Sequence, residues 1–453
     1  MEHFEYPQLD KFQNASYIQP IEEFFKTDPQ LLSPSSALYV HIPFCPRFCA
    51  FCNFYKVIYK NDGTANDYVD CLCREVDYYA DRLPDNYLNL EGIHLGGGSP
   101  SCLDSALIKQ LVDKIRSRFN LGSDHLISME CHVDNLQDAD YIKRLADIGI
   151  NRLSFGVQTF IPETRKRYGL SEIDRVYRAI ENIKQSGIKN FNTDLMYNFP
   201  GQTPKDVIHD FEELFCLGAN CVELNAMGIM PNSNIYRQMQ NDNMLLEFQS
   251  NIDTFIEMYE YIESRDDIHL VMANTISKTP QPPNVCNSFQ LGGNKVNGGA
   301  ILGIGASSRG FVDGYVYKNY VNIHEYMDKV KAANNGVALQ RTVDMAERYA
   351  RMMVMFPMFR HVMKKDIDFN YTQKGMLDKL VEQGLIYEDD EKYYLGKAMS
   401  FYSGNLSLNF VTRTQKDKMM MYMYNSMRNN LNAYNQDDMQ MSKQAGLRPA
   451  PFR

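Results

Sequence analysis

The segment ALYVHIPFCPRFCAFCNFYK occupies residues 37–56. It opens on an apolar, β-rich run, Ala37–Phe44, and passes directly into Cys45, Cys49 and Cys52 at a C-x3-C-x2-C spacing with no fourth cysteine nearby. Three thiolates on one loop can hold three irons of a [4Fe–4S] cluster and leave the fourth open to another ligand. Pro46 and Arg47, between the first two cysteines, favour a loop over three small packed residues at incidental spacing. A structural zinc site would need a fourth protein ligand, and His41 is the only close candidate.

Outward from this segment, short apolar runs alternate with helical stretches. The further runs are Gly92–Leu95 with Gly96, Gly97 and Gly98 behind it, His125–Val133, Asn151–Gln158, Phe191–Phe199 and Cys221–Ile229. Between them, Asn66–Leu83, Ser105–Phe119, Gln137–Ile148, Glu172–Ser186 and Pro204–Leu217 carry apolar residues at three- and four-residue spacing, and several close near Gly149, Gly187 and Gly218. This alternation predicts parallel strands covered by helices, an arrangement that puts ligands at the strands' C-terminal ends. Polar residues fall there: Cys45, Gly96 to Ser99, Glu130 with His132, Gln158, Asp194 and Asn225.

Beyond residue 240 the pattern changes to a helix over Ile252–Ser264 and a Pro-, Asn- and Gly-rich loop over Thr279–Gly299. A final block holds a Met-rich helix (Met345–Phe356), a second helix (Lys374–Gln383) and GLIYEDDEKYYL, which reads as a hairpin of winged-helix type. The Met stripe is expected to fill a core. The expected organisation is an N-terminal segment (1–36), a core barrel (37–240), a connecting region (241–340), a C-terminal substrate-covering domain (341–428) and a flexible tail (429–453).

The 453 residues are 44% hydrophobic and 23% charged, which excludes a disordered or collagen-like chain. A net charge of −9 gives no basic footprint for nucleic acid. Residues 1–20 lack a basic stretch followed by an apolar run, and no stretch reaches the ~18 apolar residues of a membrane span. A reducing cytoplasm is therefore expected, where clustered cysteines bind metal or do chemistry more often than they cross-link. Apart from the triplet, Cys71, Cys73, Cys102, Cys131, Cys216, Cys221 and Cys286 are expected to pack.

The triplet after the first strand, with Phe48, Phe51 and Phe54 interleaved, resembles the radical S-adenosylmethionine enzymes. LYVHIPFC, GGGSP (Gly96–Pro100), NRLSFGVQTF (Asn151–Phe160), DLMYNFPGQT (Asp194–Thr203) and GIGASS from Gly303 are similar to the oxygen-independent coproporphyrinogen III oxidase group and its relatives. The resemblance implies an α/β fold, a partial (β/α)6 TIM-like barrel with a smaller, mainly helical C-terminal domain. It also implies a [4Fe–4S] cluster on Cys45, Cys49 and Cys52, with S-adenosylmethionine on the open iron, cleaved to a 5′-deoxyadenosyl radical. The cofactor contacts it implies are Tyr39, Gly97, Gly98, Ser99, Glu130, Gln158, Asp194 and Ala226, with Asn225 beside Ala226 near adenine.

Two departures bear on function. Phe54 stands where the oxidases carry a further cysteine, and Asn53-Phe54-Tyr55-Lys56 looks most like the anaerobic heme-degrading methyltransferases, which use a second S-adenosylmethionine. Leu170 stands where relatives place an arginine for the cofactor carboxylate, leaving Arg165, Arg167 or backbone groups to replace it. His132, in MECHVDN, is either an acid/base, a heme ligand or a loop-stabilising residue. The resemblance thus implies methyl transfer coupled to heme ring opening, served by a low-potential donor such as a flavodoxin. The alternatives are decarboxylation of coproporphyrinogen III and heme delivery by a chaperone without turnover.

Overall fold

The computed structural model describes residues 36–410 except 48, 50, 51, 53, 54, 84–87, 228–247, 281–299, 313, 314, 343, 344, 371, 373, 397, 398 and 400–402. The Pro-, Asn- and Gly-rich loop beyond residue 280, Phe54 and the tail expected over 429–453 lie outside the described residues.

The first strands are β1 (Ser36–Ile42), β2 (Phe44–Cys45) and β3 (Val57–Ile58), and helix α1 (Thr64–Ala80) follows. Strand β4 (Asn89–Gly97) leads to α2 (Ser105–Arg118), β5 (Asn120–Cys131) to α3 (Ala139–Ile148), and β6 (Arg152–Gln158) to α4 (Pro162–Arg167) and α5 (Ile173–Ser186). Strand β7 (Asn190–Tyr197) leads to α6 (Pro204–Cys216), and β8 (Cys221–Ala226) closes the series. Strands β1, β4, β5, β6, β7 and β8 lie side by side in that order, all parallel, as the alternation predicts.

The connecting region adds to both edges of this sheet. Helix α7 (Phe248–Glu263) precedes β9 (His269–Met272) and β10 (Thr275–Ser277), which extend the sheet antiparallel beyond β8. Strand β11 (Ala300–Ile304) pairs parallel with β1. Strands β12 (Arg309–Val312), β13 (Tyr315–Asn319) and β14 (Val337–Thr342) continue antiparallel outside it, with α8 (Ile323–Ala333) between the last two. The sheet reaches twelve strands, from β14 at one edge to β9 at the other.

Helix α9 (Met345–Phe359), β15 (His361–Met363), α10 (Lys374–Glu382), β16 (Ile386–Glu388), β17 (Lys392–Leu395) and α11 (Ser403–Ser407) complete the described chain. The expected hairpin is β16 with β17, and β15 makes it a three-stranded sheet. Met352, Met353 and Phe356 pack with Leu377, Leu380, Ile386 and Leu395 in a core separate from that of the large sheet. The Met stripe is thus packing. No helix among the described residues is long and apolar enough to cross a membrane.

A parallel strand buried on both faces is normally apolar throughout. Here the two faces differ. Leu38, Val40, Ile93, Leu95, Ile127, Met129, Leu153, Phe155, Leu195, Val222 and Leu224 form one apolar core with the covering helices. Alternate residues on the same strands are Tyr39 and His41, His94, Ser128 and Glu130, Arg152 and Ser154, Asn192 and Asp194, and Glu223 and Asn225. Their register confirms a shared face: Tyr39 is opposite His94, Ser128 opposite Arg152, Ser154 opposite Asn192 and Asp194 opposite Glu223.

The turn after β11 is fixed to α1 by one carboxylate. Glu75, fully buried, accepts from Gly305 N at 2.8 Å, Tyr326 OH at 2.6 Å, Asn319 Nδ2 at 2.8 Å and Gly336 N at 3.1 Å. Tyr68 donates to the His41 carbonyl at 2.7 Å and accepts from Ala306 N at 2.8 Å, so the GIGASS turn sits against the end of β1. All four donors to Glu75 require an acceptor, and an amide supplies only one acceptor atom. Glu75→Gln is therefore expected to destabilise the protein by about 3 kcal/mol, read from urea unfolding midpoints, whereas an unchanged midpoint would contradict this role.

Candidate cofactor site at the strand ends

The cysteine loop is held from both sides. Val57 N donates to Pro43 O at 2.8 Å and Tyr59 N to Cys45 O at 2.9 Å, which returns the chain alongside β2. Gly98 N donates to Ile42 O at 2.9 Å and Ser99 N to Phe44 O at 2.7 Å, tying the glycine turn after β4 to the same loop. Lys56 Nζ donates to Cys52 O at 2.6 Å. Arg47 reaches out of the loop, donating to Ser171 Oγ at 2.9 Å and lying 3.5 Å from Asp134 Oδ2.

Cys45, Cys49 and Cys52 are free thiols, each half-buried. Burial pushes the Cys45 thiol up to about 11, Cys52 and Cys49 add to that, and a hydrogen bond with Ser99 opposes it. Burial and then Cys52 raise Cys49 in the same way. The three sulfurs are thus electrostatic neighbours, and metal binding would displace the protons that burial holds on Cys45 and Cys49. Among the described residues no three His, Cys, Asp or Glu side chains are grouped to hold one ion. His41, the candidate fourth zinc ligand, is buried instead against Gly97, with Nδ1 3.0 Å from Tyr39 OH.

The glycines have a packing reason as well as an access reason. Gly97 has φ +102°, and a Cβ there would lie 2.5 Å from the His41 ring; a Cβ on Gly98 would lie 2.7 Å from Phe44 O. The Gly97 N–H donates to Glu130 Oε2 at 2.9 Å, and His94 Nε2 lies 3.1 Å from Glu130 Oε1. Burial would raise the Glu130 carboxyl, but the His94 and Gly97 hydrogen bonds with the nearby imidazoles hold it below its usual range. Glu130 is therefore an ionised carboxylate at the end of β5.

Asp194 is the opposite case. Burial, then Glu223 and Glu130, push its carboxyl well above the usual range, against the pull of Arg152. Burial also raises Glu223, opposed chiefly by Arg152. Two facing acids in one desolvated layer share a proton more readily than both ionise.

The remaining expected contacts occupy the same end of the sheet. Gln158 closes β6 with φ +71°, at a register shift against β7, and its buried Oε1 has no protein partner. Backbone strain and an unpaired buried acceptor together mark a position held for something other than packing. Ala226 ends β8 opposite Tyr197, and Asn225 Oδ1 accepts from Asn274 Nδ2 at 2.9 Å. These residues fit a cluster with S-adenosylmethionine: three thiols, an ionised carboxylate and unpaired buried polar atoms share one end of the sheet.

Several alternatives raised by the sequence are narrowed. Arg165 donates to the carbonyls of Val157 at 2.7 Å, Thr159 at 2.6 Å and Ser171 at 2.8 Å, so it fastens the end of β6 and is not open to a carboxylate. Arg167 lies over the Tyr168 ring, and Leu170 packs with Tyr168, Met196, Phe199 and Met227. His132 caps the turn at Val133–Gln137 by accepting from Asp134 N at 3.2 Å, the loop-stabilising role. Cys71, Cys73, Cys131 and Cys221 are buried as expected, but Cys216 is exposed and so is not a packing residue. Cys286 lies outside the described residues.

His94, Ser128, Arg152, Asn192 and Glu223 belong to this face and were not singled out from the sequence. Their signal was available in the two-residue period of IHL, ISME, RLSF, FNTD and VEL, where each polar residue alternates with an apolar one. A cavity of about 470 Å³ lies elsewhere, lined by Leu270, Arg360, His361, Lys392 and Tyr394, far from the polar strand ends.

Residues 39–214 match the family model described as the Radical SAM superfamily. The chain is 28% identical over 380 residues to a heme chaperone of Lactococcus lactis, covering 81% of this chain and 94% of the relative. It is 25% identical over 354 residues to an anaerobilin synthase of Escherichia coli O157:H7, covering 78% and 75%. Among solved structures, coproporphyrinogen III oxidase of Escherichia coli superposes with a TM-score of 0.75 at 20% identity, covering 91% of this chain and 97% of that one. The likeness extends over the connecting and C-terminal elements as well as the barrel.

Gly97→Ala would force a methyl group into the His41 ring from a left-handed backbone. The expected result is a loss of about 2 kcal/mol of stability together with a displaced Glu130. Thermal unfolding tests it, and a variant as stable as the wild type would contradict the close packing of β1 on β4.

Proposed function

We propose that this chain, whose residues 39–214 form a radical SAM domain, is an enzyme acting on a tetrapyrrole, with methyl transfer coupled to oxygen-independent opening of the heme ring. The observation that supports catalysis is the polar face at the strand ends, where the half-buried carboxyls of Glu130, Asp194 and Glu223 share a face with the buried Arg152, Glu130 held low and the other two raised. Carboxyls pushed in opposite directions within one desolvated layer are suited to binding charge and moving protons. The choice of methyl transfer rests on Asn53-Phe54-Tyr55-Lys56 after the third cysteine and on the likeness to an anaerobilin synthase.

In this reading Cys45, Cys49 and Cys52 would hold a [4Fe–4S] cluster, with S-adenosylmethionine bound beside it. Bound together, the two groups supply one-electron reductive cleavage of the sulfonium. Gly97, Gly98 and Ser99 present backbone to the methionine end, and Glu130 accepts from its ammonium. Gln158 and Asp194 meet polar parts of the cofactor, Tyr39 lines the site from β1, and Ala226 lines it from β8. Asp194 and Glu223, raised by burial and, for Asp194, by the neighbouring acids, are suited to deliver or take up a proton. The reductant is a low-potential donor such as a flavodoxin. A second S-adenosylmethionine would supply the transferred group.

A second reading is favoured by a specific observation: the heme chaperone of Lactococcus lactis aligns over 94% of its own length, connecting region included. The presence of the C-terminal elements therefore does not separate enzyme from chaperone. Decarboxylation of coproporphyrinogen III is the remaining alternative, and Phe54 in place of the oxidases' extra cysteine weighs against it.

Anaerobic reconstitution, followed by S-adenosylmethionine, a low-potential reductant and either heme or coproporphyrinogen III, separates the three by mass spectrometry. The expected outcome is 5′-deoxyadenosine with a methylated linear tetrapyrrole from heme. Heme bound intact would establish the chaperone reading, and a decarboxylated product the oxidase. Cys49→Ala is expected to abolish iron–sulfur absorbance and cofactor cleavage, and full cleavage by that variant would overturn the ligand assignment.

A further inference from the structure

Three buried side chains and the half-buried Glu130, from three adjacent strands, form a continuous chain. Arg152 Nη1 donates to Ser128 Oγ at 2.9 Å, Ser128 Oγ lies 3.2 Å from His94 Nδ1, and His94 Nε2 lies 3.1 Å from Glu130 Oε1. Arg152 and Ser128 are each 2% exposed and His94 6%, so water does not complete their bonding. We propose that Arg152 is a positioning residue for the cofactor, fixing the tautomer of His94 through Ser128 and thereby the orientation and charge of Glu130.

The direction of the chain follows from its ends. A guanidinium can only donate and an ionised carboxylate can only accept. Because Arg152 donates to Ser128 Oγ, the Ser128 hydroxyl proton must go to another acceptor, and His94 Nδ1 is the one within reach. His94 then carries its proton on Nε2 and donates it to Glu130 Oε1. An imidazolium would strand the Ser128 proton in a buried position. The reversed tautomer would leave Nε2, a lone pair, facing the carboxylate. Tyr39 stacks on the His94 ring at 5.9 Å and 16°, which keeps the imidazole in the plane the chain needs.

Glu130 is thus gripped at one oxygen by His94 and at the other by Gly97 N, with its remaining lone pairs turned to the strand ends. The other charged groups on this face, Asp194 and Glu223, lie on the far side of Arg152 and keep the guanidinium balanced. Arg152 Nη2 is buried without a protein partner, so its side chain is held for its link to Ser128 and for the polar interior, not for a salt bridge of its own. Orientation of a ligand-contacting group by a partner behind it is how protein sites commonly set a histidine tautomer.

The cofactor role of the chain rests on the functional reading above, whereas the tautomer does not, and the test separates them. In 15N-histidine-labelled protein without cluster or cofactor, His94 is assigned by comparison with His94→Gln and its two ring nitrogens are read by long-range 1H–15N correlation. The expected wild-type signal is the Nε2–H tautomer. Ser128→Ala and Arg152→Met, checked as folded by near-UV circular dichroism, are expected to give mixed tautomers. After reconstitution they should bind S-adenosylmethionine about tenfold more weakly, with Arg152→Lys recovering part of the loss.

A purely structural Arg152 would lower stability and leave both the tautomer and the affinity unchanged. Wild-type protein with an Nδ1–H or doubly protonated His94 would overturn the proposal. So would folded Ser128→Ala that keeps the wild-type tautomer and affinity. Wild-type protein with the Nε2–H tautomer that binds no S-adenosylmethionine would overturn the functional reading and, with it, the cofactor role of Arg152.

Discussion

An ionised carboxylate at the end of a buried parallel strand is the constraint on which this site depends. Glu130 sits where desolvation alone would protonate it, and two donors reverse that outcome, the Gly97 N–H and His94 Nε2. Each donor carries a structural demand. The Gly97 donor requires a left-handed glycine packed directly on His41, which fixes the approach of β4 to β1 and, through Gly98 and Ser99, the position of the cysteine loop. The His94 donor requires Ser128 and Arg152 behind it. A single charge thus links the loop that carries the thiols to the polar interior of the sheet.

That interior explains why the strands are apolar on only one side. A fully apolar inner face would pack at least as well, since replacing buried ion pairs with hydrophobic residues is often neutral or stabilising. This sheet instead buries Arg152 at 2% exposure beside Asp194 and Glu223, with Ser128, Ser154 and Asn192 distributing the hydrogen bonds. Stability comes from the other face, where Leu, Ile, Val and Phe side chains meet the covering helices. The outer edges are secured separately, on one side by Glu75 clasping the turn after β11 to α1, and on the other by β9 and β10.

Much of this was legible in residue order because βα alternation is a local signal: six strands, their covering helices and the cysteine loop fall where apolar period and glycine punctuation put them. The strands β11 to β14 were not legible, because their pairing depends on a parallel contact between residues near 38 and residues near 302 that no local pattern records. Tyr39, Glu130, Gln158 and Asp194 could be named from their place at strand ends together with a family resemblance. Arg152 and Glu223 were not, although the two-residue period of RLSF and VEL marks their face, because only the register shows that this face is shared with the site residues. Arg165 shows the reverse, since its chemistry suggested a carboxylate contact and the structure gives it a carbonyl clasp, whereas His132 takes the loop-stabilising role that was among its readings.

The proposed centre is a cluster on Cys45, Cys49 and Cys52 with one iron open to S-adenosylmethionine, and with Glu130 among the cofactor's contacts. Mössbauer spectroscopy of 57Fe-reconstituted protein, with and without S-adenosylmethionine, tests it most directly. The account predicts a [4Fe–4S] cluster in which one iron of the four changes its parameters when S-adenosylmethionine is added. Four irons with spectra unaltered by the cofactor, or zinc in place of iron, would contradict it.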